Sequence, residues 1–437
     1  MTEKRSYRSS FILLTILFFL WGFITVLVDS LIPRLRELFT LSYFQAGLVQ
    51  FAFFGAYFLL SIPASYILSK IGYKRGIILG LLTMAIGCLL FYPAASYRMF
   101  GIFMFAYFTL AGGMTILQVA ANPFVAVLGT EDGASSRLNL SQAFNSLGTA
   151  IAPAVGALFI LSDKIKTEDE IAALTGTAKE TYLASEASAV QMPFLGLALF
   201  IGLIAVIFLF AKLPKMISET KTGTYAEAFQ NKNLMLGVLG IFFYVGAEVA
   251  IGSYLVNYFL DMNLVSVIKE SPLMKSIAEG ILNSGLTEKD DKAVVGVFVT
   301  FYWSGAMIGR FVGSYLTRIM KPGKVLGIFA TIAITLIVLS ISTTGLVSMW
   351  SILAVGLFNS IMFPTIFTIA IDGIGELKPK ASGLLCTAIV GGALIPPTYG
   401  LLTDQVGFKT ALFFIILCYS YILWYGYKNS KKPVVHA

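Results

Sequence analysis

The chain has 437 residues, 57% of them hydrophobic and only 12% charged, with a mean hydropathy of +0.83. That charged share is about half of what a soluble globular protein carries, which excludes an ordinary soluble enzyme or binding module. The net charge of +8 is spread over many short loops, which excludes a nucleic-acid surface and fits the basic inner loops of a membrane protein.

In chain order, apolar runs lie near 11–32, 44–68, 76–95, 99–128, 138–161, 192–213, 234–260, 293–316, 325–341, 347–371, 381–402 and 408–425. A helix needs about 20 apolar residues to cross a bilayer, whereas a barrel strand needs about 10, alternating. The expected fold class is therefore an all-α membrane protein of about twelve transmembrane helices. Lys4, Arg5 and Arg8 precede the first run as they would a signal peptide, but the run is too long and no small-residue cleavage site precedes Asp29. It reads as the first spanning helix. An even helix count with basic inner loops puts both termini in the cytoplasm of an inner, plasma-type membrane. Cys88, Cys386 and Cys418 fall inside apolar runs and form no disulfide framework, and the single histidine, His436, sits in a basic tail.

Polar residues inside these runs are the candidates for function, because an unpartnered polar group costs several kcal/mol in hydrocarbon. Leu117-Gln-Val-Ala-Ala-Asn-Pro-Phe124 puts Gln118 and Asn122 on one helical face. Arg137 to Gly148 repeats amides every third position at Asn139, Gln142 and Asn145. Amides both donate and accept, which suits a ligand made of hydroxyls. The expected ligand is a neutral sugar, and Asn359 in the tenth run adds a further amide.

Of the acids, Asp29, Glu248 and Asp372 lie inside helices, where a carboxylate is a functional candidate by default. Trp21, Thr25 and Asp29 follow at steps of four, a face with a ring to stack on a pyranose, a hydroxyl and an acid that can hold a coupling cation. Asp29 with its neighbouring oxygens also suits sodium. Asn257 lies nine residues beyond Glu248 and reaches the same cavity only if the helix breaks near Gly252-Ser253. Asp372 is expected at a gate. Arg310 is expected at a helix end, snorkelling or pairing with an acid such as Asp372.

The second half echoes the first. Phe144-Asn-Ser-Leu-Gly148, Pro153 and Gly156 align without gaps on Ala388-Ile-Val-Gly-Gly392, Pro397 and Gly400, an offset of 244 residues. Gly55-Ala56, Ser65-Tyr66 and Lys70 are answered by Gly305-Ala306, Ser314-Tyr315 and Arg318. Two six-helix bundles, 1–213 and 233–437, are expected on either side of a cytoplasmic linker at 214–232.

These pieces together resemble the major facilitator superfamily, and within it the fucose and glucose/galactose symporter family. The resemblance is carried by Phe18-Phe-Leu-Trp-Gly22, Asp29, Phe44-Gln-Ala-Gly47, Gln118 to Gly129, Arg137 to Gly148, Glu248-Val-Ala250, Ser253-Tyr-Leu255, Ile308-Gly-Arg-Phe311 and Pro364-Thr-Ile-Phe367. It implies a secondary active transporter that moves a neutral hexose such as glucose or galactose with sodium or a proton by alternating access, with no cofactor, no catalytic residues and a monomer as the working unit. Sugar contacts would come from Trp21, Gln118, Asn122, Gln142, Asn145, Glu248, Asn257 and Asn359, coupling from Asp29, Thr25 and Glu248, and gating from Ser69, Arg310 and Asp372. Ser69 and Thr317 stand where the superfamily loop motif has an acid. A fucose/proton symporter of this family carries glutamate where this chain has Gln118, and an amide where it has Glu248. An L-fucose:proton symporter is one alternative. An intramembrane lipid-linked transferase is another, although the runs hold neither clustered acids for a divalent metal nor a His/Ser/Cys constellation.

Overall fold

The computed structural model describes residues 7–38, 43–159, 174–215, 223–286 and 289–430, and every regular element among them is helical. In chain order these are α1 Arg8–Leu38, α2 Tyr43–Tyr97, α3 Phe100–Val127, α4 Ala134–Phe159, α5 Gly176–Phe210, α6 Tyr225–Gln230, α7 Lys232–Asp261, α8 Leu264–Glu270 and α9 Pro272–Leu282. They continue as α10 Asp291–Gly296, α11 Val299–Ile319, α12 Pro322–Ser342, α13 Gly345–Asn359, α14 Met362–Ala370, α15 Lys378–Thr387, α16 Gly391–Val406 and α17 Phe408–Ser430. Single 3₁₀ turns precede α4 and α15, at Glu131–Gly133 and Gly375–Leu377, and a third, Ala388–Val390, joins α15 to α16.

Among the described residues, ten helical stretches are long and apolar enough to cross a membrane. One of them, Phe51–Tyr97, is 47 residues long, about twice what a bilayer needs. It is broken at Gly72, whose φ of 81° and ψ of 165° leave helical geometry. Only glycine takes that conformation freely, and the basic turn of Lys70, Lys74 and Arg75 surrounds it. The amide-rich α4 does not reach the hydropathy of the other ten, because the polar residues that make it interesting also dilute its apolar character.

The chain forms two compact units. Unit 1 comprises Met1–Gly129, Phe144–Asn231 and Gly373–Thr387; unit 2 comprises Thr130–Ala143, Lys232–Asp372 and Ala388–Ala437. In unit 1, α2 packs along α3 and α5, and α15 lies on α2 and α3. Its core is aromatic: Phe91 stacks on Phe194 with centroids 3.9 Å apart, and Tyr73 on Phe124 at 5.2 Å. In unit 2, α12 packs on α13 and α17, α11 on α13, and α7 against α14, α16 and α17. Val325, Phe329 and Ile361 form a buried apolar knot there.

The units are thus not continuous halves of the sequence, because each incorporates a short piece from the other half. These pieces obey the repeat. The turn Glu131–Gly133 and the start of α4 at Ala134 recur 244 residues later as Gly375–Leu377 and the start of α15 at Lys378. Unit membership changes after Ala143 and, at the same repeat position, after Thr387. Side-chain hydrogen bonds hold both pieces. Ser135 Oγ and Thr368 Oγ1 are 2.5 Å apart, and Asn139 Nδ2 donates to Thr365 Oγ1 at 3.2 Å, both within unit 2. Within unit 1, Ser382 Oγ donates to Val119 O at 2.8 Å.

Candidate functional site

In unit 1 the polar candidates sit on α1, α2, α3 and the second part of α4. Gln118 and Asn122 are both buried on α3, as their four-residue spacing requires. The Oε1 atom of Gln118 is buried without a hydrogen-bond partner among the described residues, an acceptor left open among apolar helices. Trp21 is buried on α1 and makes an edge contact with Phe18, with centroids 5.6 Å apart. Asn145 donates from Nδ2 to Phe18 O at 2.9 Å. That bond forms because α1 and α4 approach closely: a Cβ on Gly22 would run into the Asn145 backbone, and one on Gly148 into Phe19 O. Thr25 spends its hydroxyl on Trp21 O at 2.9 Å, the back-bond usual for a threonine within a helix. Ser69 does likewise with Tyr66 O at 2.7 Å. Asp29 falls within α1, but its side chain lies outside the described residues.

Unit 2 holds Gln142, Asn139, Glu248, Arg310 and Asn359. Gln142 is buried on α4 one turn beyond Asn139. Asn139 has its Nδ2 bonded to Ser135 O at 2.9 Å as well as to Thr365, so it serves packing first. Arg310 corrects the sequence reading: it lies in the middle of α11, not at its end, and its Nη2 stands 3.9 Å from Glu248 Oε1. The two side chains are 16% and 14% exposed, so this is an interior pair. Arg310 also donates from Nε to Ser360 O at 3.2 Å, which fixes the guanidinium at the break between α13 and α14. The partner expected for it, Asp372, is exposed just past the end of α14.

Asn359 is fully buried and donates to Tyr302 Oη at 2.6 Å and Tyr419 Oη at 3.3 Å. Tyr302 in turn donates to Glu248 O at 3.5 Å. Tyr302 and Tyr419 therefore form a hydrogen-bonded wall behind Glu248, which the sequence reading missed. Asn257 is a second correction, because α7 runs unbroken through Gly252-Ser253, leaving Asn257 exposed and half a turn away from Glu248. Ahead of the apolar part of α4, Arg137 donates from Nη2 to Thr130 O at 2.8 Å.

Chemically, α3 offers neutral donors and acceptors, and α7 offers an interior carboxylate, Glu248, whose counter-charge stands just outside hydrogen-bond distance. The sequence model of the Major Facilitator Superfamily matches residues 10–397. A glucose/galactose transporter of Brucella abortus biovar 1 (strain 9-941) is 46% identical, covering 99% of this chain and 96% of its own. An L-fucose-proton symporter of Escherichia coli (strain K12) is 35% identical over 98% and 95%. Among solved structures, the major facilitator transporter FucP in its outward conformation matches with a TM-score of 0.86 and 33% identity, covering 98% of this chain and all of that one. The chain belongs to the major facilitator superfamily, within its fucose and glucose/galactose transporter family.

Proposed function

We propose that this protein is a cation-coupled symporter of a neutral hexose, glucose or galactose first, working by alternating access as a monomer in an inner membrane. The observation that carries the reading is the Glu248–Arg310 pair at 3.9 Å. Coupling requires a group that binds the cation and biases a two-state equilibrium by a few kcal/mol. A buried carboxylate whose oxygen faces a guanidinium at ion-pair distance, without a hydrogen bond to it, can exchange that counter-charge for a proton or a sodium ion. The hexose part rests on the amides of Gln118, Asn122, Gln142 and Asn145, and on the near full-length likeness to a protein named glucose/galactose transporter. Counting the stretch broken at Gly72 as two spans and adding α4 makes twelve membrane helices. We assign six to each half of the sequence, with residues 214–232 as a cytoplasmic linker and both termini inside.

Uptake of labelled glucose, galactose and fucose into vesicles, with sodium and pH gradients imposed separately, tests this directly. Hexose accumulation driven by one gradient is the expected result; uptake indifferent to both would end the coupled reading. L-Fucose with a proton is the second reading, supported by the Escherichia coli relative and by the FucP structure. It wins if fucose is the sugar accumulated. Asp29→Asn separates the two coupling candidates. If Asp29 holds the cation, the variant keeps sugar exchange, which needs no net cation movement, and loses accumulation. If accumulation persists, coupling belongs to Glu248.

A further inference from the structure

The two repeat-related pieces, 130–143 and 373–387, are held differently. In unit 2 the contact between the first piece and α11 is direct: Ser314 Oγ donates to Ser136 O at 3.0 Å, and the two hydroxyls are 3.4 Å apart. The 244-residue offset equates Ser136 with Lys380, and the match of Ser65-Tyr66 to Ser314-Tyr315, at an offset of 249, equates Ser314 with Ser65. In unit 1 a third residue, Tyr225, bridges that corresponding pair. Its hydroxyl donates to Ile62 O at 2.9 Å and is hydrogen-bonded to Ser65 Oγ, while Lys380 Nζ lies 5.9 Å from its ring centroid. Lys380 Nζ also donates to Gly223 O, two residues before the tyrosine. Leu377 packs against Gly223, and Gly383 sits against Ser65 with no room for a Cβ. Thr224 caps α6 by accepting from Glu227 N at 3.2 Å, which fixes the direction in which Tyr225 leaves the helix. Lys380 is 7% exposed, so its charge is committed to these partners.

From this we infer that Tyr225 and Lys380 are positioning residues for transport: the end of the linker is a strap that clamps residues 373–387 to α2, on one side of the repeat only. The role rests on the transporter reading, because it matters only if 373–387 must leave α2 and α3 in each cycle. The strap then sets how often that release occurs, and linker residues 223–225 govern the rate without touching sugar. The opposite piece, held by direct serine contacts, has no such dependence on the linker.

Cys386 is a built-in reporter. It lies in the clamped piece, is fully buried, and becomes reachable when α15 lifts. Full-length protein carrying Cys88→Ala and Cys418→Ala is treated with N-ethylmaleimide in liposomes, without sugar or ion gradient. Tyr225→Ala and Lys380→Met should each speed alkylation of Cys386 roughly 2- to 10-fold, the loss expected from one or two hydrogen bonds. Lys380→Arg should keep the slow rate, and the Tyr225→Ala, Lys380→Met double variant should be no faster than the faster single. Cys88, buried elsewhere on α2 and assayed in a Cys386→Ala, Cys418→Ala background, should stay unreactive. An unchanged Cys386 rate overturns the strap, and so does a parallel rise at Cys88, which would mark loosened folding. Because no sugar is present, a wrong choice of cargo appears only in the uptake assay and leaves this result intact.

Discussion

Two helices of the molecule bury polar groups by different means. Around Gln118 on α3 the buried polar side chains are neutral, and the glutamine oxygen is left open. Around Glu248 on α7 the buried group is charged, with Arg310 at ion-pair distance and Tyr302, Asn359 and Tyr419 behind it, and its Oε1 likewise accepts no hydrogen bond among the described residues. A neutral amide with an open acceptor costs about 1–3 kcal/mol, which the fold tolerates. An unmatched carboxylate costs more, so the protein supplies a fixed counter-charge. In the proposed reading, α3 keeps hydrogen-bonding capacity in reserve for hydroxyls, while α7 keeps a charge balance that a coupling cation replaces.

Removing the counter-charge should have the largest effect. Arg310→Met strands Glu248 among apolar helices and is expected to lower stability by about 3 kcal/mol. The Glu248→Gln, Arg310→Met double variant should recover most of that loss and still fail to accumulate sugar against a gradient. Thermal denaturation in detergent and vesicle uptake read the two halves of this prediction. If the single and double variants melt alike, the pair is not balancing charge.

On α3 the expected pattern is reversed. Gln118→Leu removes an acceptor with no partner among the described residues, so stability should stay level or rise slightly, while sugar affinity falls by about 2 kcal/mol, roughly 30-fold. Calorimetric titration of hexose into the purified variant measures it, and full affinity in the leucine variant would take Gln118 out of the site. Asn145→Ala should fall between stability and function. Its Nδ2 is committed to Phe18 O, so its loss should cost about 1 kcal/mol in stability and less sugar affinity than Gln142→Ala.

How much of this was legible in the sequence follows from the range over which each feature is decided. The spanning runs, the break inside the second helix and the 244-residue repeat are local or periodic, and the sequence carries them openly. The start of α6 was legible too, since Thr224-Tyr-Ala-Glu227 has the spacing of a capping box, but it lay in a stretch that composition marks as linker. The partner of Arg310 was not legible. Glu248 is 62 residues away, and only the packing of α7 and α11 decides that it, and not Asp372, faces the guanidinium. Tyr302 and Tyr419 are two of 20 tyrosines, and nothing in their neighbours distinguishes a buried hydrogen-bonding ring from one facing lipid. Asn139 and Asn145 were visible as amides, but their commitment to Thr365 and Phe18 depends on helices far apart in the chain.

The smallest effect is expected at Asn257, and it tests the frame in which Glu248 is read. Nine residues at 100° each bring Asn257 half a turn from Glu248, and α7 contains no break between them that would turn it back. The side chain is exposed, so Asn257→Ala removes neither a buried hydrogen bond nor packing and should change stability and sugar affinity by no more than about 0.5 kcal/mol. Its neighbour on the opposite face, Glu248, should be sensitive under the same assays. A large loss of hexose affinity in Asn257→Ala would mean that α7 unwinds near Gly252 in the sugar-bound state. The carboxylate and the amide would then share a cavity, and the division of labour between α3 and α7 would have to be redrawn with a sugar contact on α7 itself.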